Sequence, residues 1–218
     1  MTGGDETGGN GFGLTRRALI AGVGAGVGAG VGAGVGALAG AAPAFAAEPV
    51  GAVTSLVGQA FAGRRPLGAE GPVYLEELIR TDVASRLDMR LGKTTVLKLG
   101  PDTRVRIDKF LVDAGGELTL ERGSMLFDGK DGGFPKGLSV KSPYATIAVR
   151  GTRFFAGELD TPLEVFVYRG EVVVASGRRS FPLGVGDGVS LGQRGAGAPE
   201  VKPWRQPKIE RANAQFLS

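Results

Sequence analysis

The stretch Arg86-Leu87-Asp88-Met89-Arg90-Leu91 alternates charged and apolar residues at every step, and Thr103-Arg104-Val105-Arg106-Ile107-Asp108 soon repeats the alternation. In an extended chain successive side chains point to opposite faces, so Leu87, Met89 and Leu91 share one face while Arg86, Asp88 and Arg90 share the other. Both stretches therefore read as half-buried strands. Leu118 with Leu120, Leu138 with Val140, Leu163 with Val165 and Val167, and Val172 with Val174 continue the pattern, and β-branched residues are abundant throughout. The expected core includes Leu87, Met89, Leu91, Val105, Ile107, Val165 and Val167, with Arg86, Arg90, Arg104 and Arg106 facing solvent.

Short turn signals separate these runs: Leu91-Gly92-Lys93, Gly100-Pro101-Asp102, Ala114-Gly115-Gly116, Asp131-Gly132-Gly133, Arg169-Gly170-Glu171 and Gly186-Asp187-Gly188. Many short strands at such spacing predict an all-β domain, built as a sandwich, a roll or a β-solenoid-like stack. A sandwich and a solenoid both alternate inward and outward residues, so the periodicity leaves that choice open. Asp128 to Lys136, rich in glycine and in charges of both signs, is expected to be an exposed excursion between two strands. Gly192 to Pro203 reads as a Gly/Pro/Ala linker. In the basic tail after it, Ile209, Ala212, Phe216 and Leu217 have spacings that suit a short helix, and Trp204 is the expected anchor to the domain.

The N-terminal residues 1–46 read as an export signal. Arg16-Arg17 precedes Ala18-Leu19-Ile20, a weakly hydrophobic Gly-Val-Gly-Ala run follows, and Ala44-Phe45-Ala46 suits cleavage before Ala47. The paired arginines and the glycine-diluted core fit a twin-arginine signal. The uncharged Ala18 to Ala42 is long enough for the alternative, a membrane anchor, although frequent glycine weakens both insertion and helix stability. The expected organisation is a signal over 1–46, an all-β domain over 47–191, and a linker with a basic tail over 192–218. The expected location is periplasmic or secreted, without a stable membrane span once the signal is removed.

The 218 residues include no cysteine and no histidine, and the net charge is +4. Thiol chemistry and disulfides are thereby excluded, as are triads and zinc sites that rest on histidine. The cations are scattered among carboxylates, which describes an ordinary solvated surface, and nothing points to nucleic acid. Glu70, Glu76, Glu77, Asp82, Glu158, Asp160 and Asp187 form no recognisable pair of the kind a glycosidase needs. Gly184-Val185-Gly186-Asp187-Gly188 lacks the lysine and the following helix of a phosphate loop. No enzyme activity and no cofactor are expected.

The centre of the chain carries its most specific segment. Pro143 starts a strand, Ile147 and Val149 point one way, and Gly151 permits a bulge or a close backbone crossing, with Arg150 and Thr152 on either side of the kink. One reading has Arg150 held by carbonyls or a carboxylate and Thr152 bonded to neighbouring backbone, locking a corner. The other makes Arg150, Gly151 and Thr152 a recognition site for a partner.

Ser142-Pro143-Tyr144-Ala145 followed by Ile147-Ala148-Val149-Arg150-Gly151-Thr152 resembles the FecR-domain family. So do Gly51-Ala52-Val53 with Val57-Gly58-Gln59-Ala60, Leu99-Gly100-Pro101-Asp102-Thr103, Leu118 to Gly123, and Val167-Tyr168-Arg169-Gly170-Glu171-Val172. The resemblance runs from about Val50 to Leu191. It implies an envelope module without an enzymatic site. The best-known members relay an outer-membrane iron-transport signal to a sigma factor, using a cytoplasmic segment ahead of one membrane helix. Met1 to Leu14 is too short and glycine-rich to match that segment, so direct sigma regulation is not expected. The leading expectation is a binding or scaffolding module for a protein or an envelope polymer. The alternative is a signal-sensing regulator acting through a separate membrane partner, and a polysaccharide-active enzyme or lectin is the weakest reading.

Overall fold

The computed structural model describes residues 48–111, 115–129, 137–192 and 199–217. The proposed signal, Ala114 and the excursion from residue 130 to Lys136 lie outside them. Sixteen strands among the described residues join one sheet. At one end, β4 (Pro72–Val73) pairs β1 (Gly51–Val57), and the sheet continues through β6 (Arg86–Leu91), β7 (Thr95–Leu99) and β10 (Ser124–Asp128) to β12 (Thr146–Gly157). From the other end, β3 (Arg65–Pro66), β2 (Ala60–Ala62), β5 (Leu78–Thr81), β8 (Arg104–Leu111), β9 (Gly115–Arg122) and β11 (Leu138–Lys141) lead to the same strand.

The two routes meet different halves of β12. Its C-terminal half pairs β10, from Asp128↔Arg153 to Ser124↔Gly157, whereas its N-terminal half pairs β11, from Lys141↔Thr146 to Leu138↔Val149. The long strand β13 (Leu163–Ser176) runs antiparallel along both halves. Beyond it, β14 (Arg179–Leu183) borders the end of β13, while β15 (Asp187–Leu191) borders its beginning and pairs in turn with β16 (Lys202–Pro203). The sheet thus has two wings, one containing β10 and β15 and the other β11 and β14, which share the β12–β13 pair.

The inward residues of both wings form one apolar cluster, including Leu87, Met89, Val105, Ile107, Phe127, Ile147, Phe154, Val165 and Val174. All seven residues expected in the core are buried. The chain passes repeatedly from wing to wing, at Gly58, Asp82–Ser85, Gly100–Asp102 and Gly123, and buried hydroxyls tie these corners into a stack. Thr81 Oγ1 donates to the Gly100 carbonyl at 2.6 Å and accepts from the Thr103 amide at 2.9 Å. Thr103 Oγ1 in turn donates to the Ser124 carbonyl at 3.1 Å and accepts from the Ser124 amide at 3.0 Å. Ser85 Oγ accepts from the Gln59 amide at 2.8 Å. A corner amide sealed from water needs such a partner, which is why threonine and serine stand where an apolar residue would otherwise complete the core. The curled sheet combines the packed core of a sandwich with the stacked corners of a solenoid.

Two expected turns and one end of the expected linker differ from the structure. Arg169-Gly170-Glu171 lies inside β13, where the ladder continues past a bulge. Gly115-Gly116 already belongs to β9, and Lys202-Pro203 of the expected linker pairs with Asp187-Gly188 as β16. In each case a glycine or proline suggests a turn while the paired backbone alongside holds the chain extended. The four strands that end the sheet, β3, β4, β14 and β16, carry Pro66, Pro72, Pro182 and Pro203. Proline has no amide to donate and is tolerated at sheet edges, where it discourages addition of a foreign strand.

Candidate functional site

The central motif sits where β12 and β13 cross from one wing to the other. Their register is regular to Arg150↔Glu171, then shifts before resuming at Arg153↔Arg169. Gly151 and Gly170 face this irregularity with φ of 61° and 80°. A side chain at Gly170 would be doubly unfavourable, because its Cβ would come within 2.6 Å of the Thr152 Cγ2 and 3.0 Å of the Gly151 carbonyl oxygen.

Thr152 is fully buried, and among the described residues its Oγ1 has no hydrogen-bond partner. Its carbonyl accepts from the Gly129 amide at 3.0 Å. The bend is therefore held by the Thr152 methyl against Gly170 and by main chain, not by the hydroxyl contact expected from the sequence. Arg150 is exposed, and no described carbonyl or carboxylate holds it. The motif divides accordingly: Gly151 and Thr152 shape the bend, while Arg150 presents a cation to solvent.

On the outer face of the β10 wing the sheet is covered. Phe155 of β12, Phe166 of β13 and Leu126 of β10 point away from the main core into a second cluster with Ala212 and Phe216. Trp204 stacks on Phe166 with centroids 4.8 Å apart and planes 18° apart, and lies 6.0 Å from Phe155. From there the chain enters helix α1 (Gln206–Ala214), with Pro207 in its first turn, where a missing amide costs nothing. Ile209, Ala212 and Phe216 fall on the packed side, as their spacing predicts, whereas Leu217 is exposed.

Beneath α1 lies a carboxylate with no solvent exposure. Glu164 Oε1 accepts from Lys208 Nζ at 2.8 Å and Ser190 Oγ at 3.0 Å, and its Oε2 has no partner among the described residues. Lys208 Nζ is also 4.5 Å from the Trp204 ring centroid and 3.6 Å from Asp160. Arg211 grips both oxygens of Asp160 at 2.8 Å, and that contact holds the Asp160 carboxyl below its ordinary range and raises the guanidinium in turn. Tyr168 donates to Asn213 Oδ1 at 2.6 Å. Burial pushes this phenol up to about 12, against the nearby Arg153 guanidinium, which pulls it down. Arg86, expected only to face solvent, donates from Nε to the Gln215 carbonyl at 3.0 Å and ties down the end of the helix.

Two hollows border α1. One, of about 520 Å³, opens between Leu126, Arg153 and Tyr168 of the sheet and Asn213, Phe216 and Leu217. The other, of about 390 Å³, lies on the opposite flank against Trp204, Ser190, Lys208 and Arg211. Sequence reasoning missed Glu164, Lys208 and the first hollow. A signal was present in Leu163-Glu164-Val165-Phe166-Val167-Tyr168, where bulky residues occupy both faces of one strand, as they do when both faces are covered. Among the described residues no group of acidic side chains is arranged to hold a metal ion, and no helix is long and apolar enough to cross a membrane.

Comparison with known proteins extends this picture. The family described as FecR protein matches residues 77–173, from the approach to β5 through most of β13. Two crystal structures, at 1.65 and 2.50 Å resolution, of a protein provisionally assigned as an anti-sigma factor from Parabacteroides distasonis ATCC 8503 share the fold. Each has a TM-score of 0.52 and 20% sequence identity, over 61% of this chain and 62% of that one. The chain thus spans less than two thirds of the length of that protein. No curated protein matches the sequence.

Proposed function

We propose that this chain, whose residues 77–173 match the FecR family, is a signal-sensing regulator that works through contact with another protein, not through catalysis. The match over residues 77–173 is the observation that carries this reading, and the likeness in fold to a provisionally assigned anti-sigma factor supports it. The same comparisons add nothing to the scaffold reading, which becomes the weaker of the two. On this proposal the export signal read in residues 1–46 delivers the domain across the inner membrane, and a separate membrane protein receives the signal.

The surface best suited to such a contact is the outer face of the β11 wing at the bend. Arg150 is exposed there beside Ala148, Glu171 and Val173, and Val173 keeps 42% of its surface accessible. The prolines at the sheet ends disfavour recognition by strand addition, so a face is the more suitable element. A photo-crosslinking residue placed at position 173 should capture a membrane protein in the native host, and Arg150→Ala should weaken the capture while leaving the melting temperature unchanged. Capture of no membrane protein from either position 173 or position 150 would refute the proposal. Mature protein beginning at Ala47, and cytoplasmic retention when Arg16 and Arg17 are both replaced by lysine, would test the route of export.

A further inference from the structure

From the 520 Å³ hollow beside α1 we infer a binding site for a small amphipathic anion, a single apolar chain ending in a carboxylate. The volume lies within the range of about 300–1,000 Å³ usual for small-molecule sites. Its walls are apolar where the sheet and the helix end converge: Leu126 and Phe216 are nearly buried, and Leu217, 66% exposed, forms an open lip. A chain laid along them would cover surface that water now touches, which is favourable by the ordinary hydrophobic effect.

Arg153 fixes the sign of the head group. Its guanidinium lies 5.4 Å from the Tyr168 ring centroid, held against an aromatic face at the edge of the hollow. Its Nε is buried and finds no hydrogen-bond partner among the described residues, while the side chain keeps 44% of its surface accessible, so a ligand would meet the outer end of the guanidinium. The nearest carboxylate, Asp128, is 3.9 Å from that nitrogen and already receives Arg169 at 3.0 Å. A second cation, Lys98, lines the same hollow but is engaged by Asp88 at 2.6 Å. Glu210, also in the lining, would repel an anion and so directs the head group toward Arg153. An arginine already placed against a ring and lacking a full partner is suited to receive a carboxylate through two parallel hydrogen bonds from the outer end of its guanidinium. The site is set by these residues alone and stands whether or not the chain is a regulator.

Calorimetric titration of the full chain with decanoate below its micelle concentration tests the site, with decyltrimethylammonium as the cationic control. Decanoate should give a saturable heat and the cation should not. Arg153→Gln should weaken binding about tenfold or more, and Arg153→Lys less, because lysine keeps the charge but loses the paired geometry. Leu217→Glu, at an exposed position, places a negative charge on the lip and should also weaken binding without disturbing the fold. Thermal melts of each variant separate lost binding from lost structure. The inference is overturned by equal affinity for the two amphiphiles, by no saturable heat at millimolar decanoate, or by affinity unchanged in both Arg153→Gln and Leu217→Glu. It is likewise overturned if the chain binds phosphatidylglycerol vesicles and decanoate does not compete, since the surface would then read a membrane and not a free acid.

Discussion

The two outer faces of the same sheet solve the problem of exposure in opposite ways. On the β11 wing the outward residues remain in water and pair across strands: Arg106 meets Glu121 at 2.8 Å, Thr119 donates to Asp108 at 2.6 Å, and Lys141 meets Glu117 at 2.8 Å. On the β10 wing the outward residues under α1 include Phe155, Phe166 and Leu126, with Glu164 entirely buried beside them, and the helix closes over this group. Charge pairs recur on both faces, yet their surroundings make them different objects. In water a pair exchanges hydration for a weak attraction, whereas under the helix Glu164 has lost its hydration and depends on Lys208. The open face is thus tolerant, and the covered face has one point on which the seating of the helix turns.

That difference predicts the largest effect at Lys208. Lys208→Ala leaves a buried carboxylate without its cation and should destabilise the domain by about 3–5 kcal/mol. Replacing both members, Glu164→Leu with Lys208→Met, should restore most of the loss, because a buried pair can often be exchanged for apolar packing at little cost. Urea unfolding of the three proteins measures this. If the single variant loses no more than an exposed pair would, the helix is not seated through Glu164 and the contrast between the faces fails.

Tyr168 should give the next largest effect. Tyr168→Phe removes the hydrogen bond to Asn213 and should cost about 1 kcal/mol. Absorbance at alkaline pH, compared between wild type and this variant, should isolate a phenol with a midpoint near 12. Since the folded value is raised, the contribution is complete below the unfolded value of about 10 and is lost as pH rises toward 12. A midpoint near 10 would mean that the helix does not keep water from the ring.

On the open face, Arg106→Ala should change stability by less than about 1 kcal/mol, and less still at high salt. A loss as large as that at Lys208 would show that this face too is covered in the working protein. The asymmetry between the faces is also what decided how much of the molecule could be read in advance. Strands such as β6 and β8, with one wet face, display their inward residues as a clean alternation, and Leu87, Met89, Val105 and Ile107 were legible from it. The second core was less so, because its parts come from β10, β12, β13 and a helix far along the chain, and no local period records that Phe166 meets Trp204. Arg150, Gly151 and Thr152 stood out as a kink, but the mate that makes the kink necessary, Gly170, lies across the ladder. In the sequence Gly170 reads as a turn, because glycine marks turns and bulges alike. The hollow beside Arg153 was illegible for a further reason: a cavity is what packing leaves over, and no residue type encodes it.

The smallest effect belongs to Asp160 and Arg211, which close over the same helix but at its wet margin. Their geometry is bidentate and good, with both contacts at 2.8 Å, yet the side chains keep 45% and 55% of their surface. Solvent screening therefore leaves a modest contribution. Its pH dependence has a definite sign. The Arg211 contact lowers the folded value of Asp160, so the contribution is present above the unfolded value of about 4 and is lost as pH falls through the depressed folded one. Melting temperatures of wild type and Asp160→Asn should accordingly differ slightly at pH 6, with wild type the higher, and converge as the carboxyl is protonated in both folded and unfolded chains. Added salt at pH 6 should shrink the difference. A gap that persisted at low pH would assign the effect to lost packing or hydrogen bonding, and the margin of the covered face would then behave as part of its buried interior.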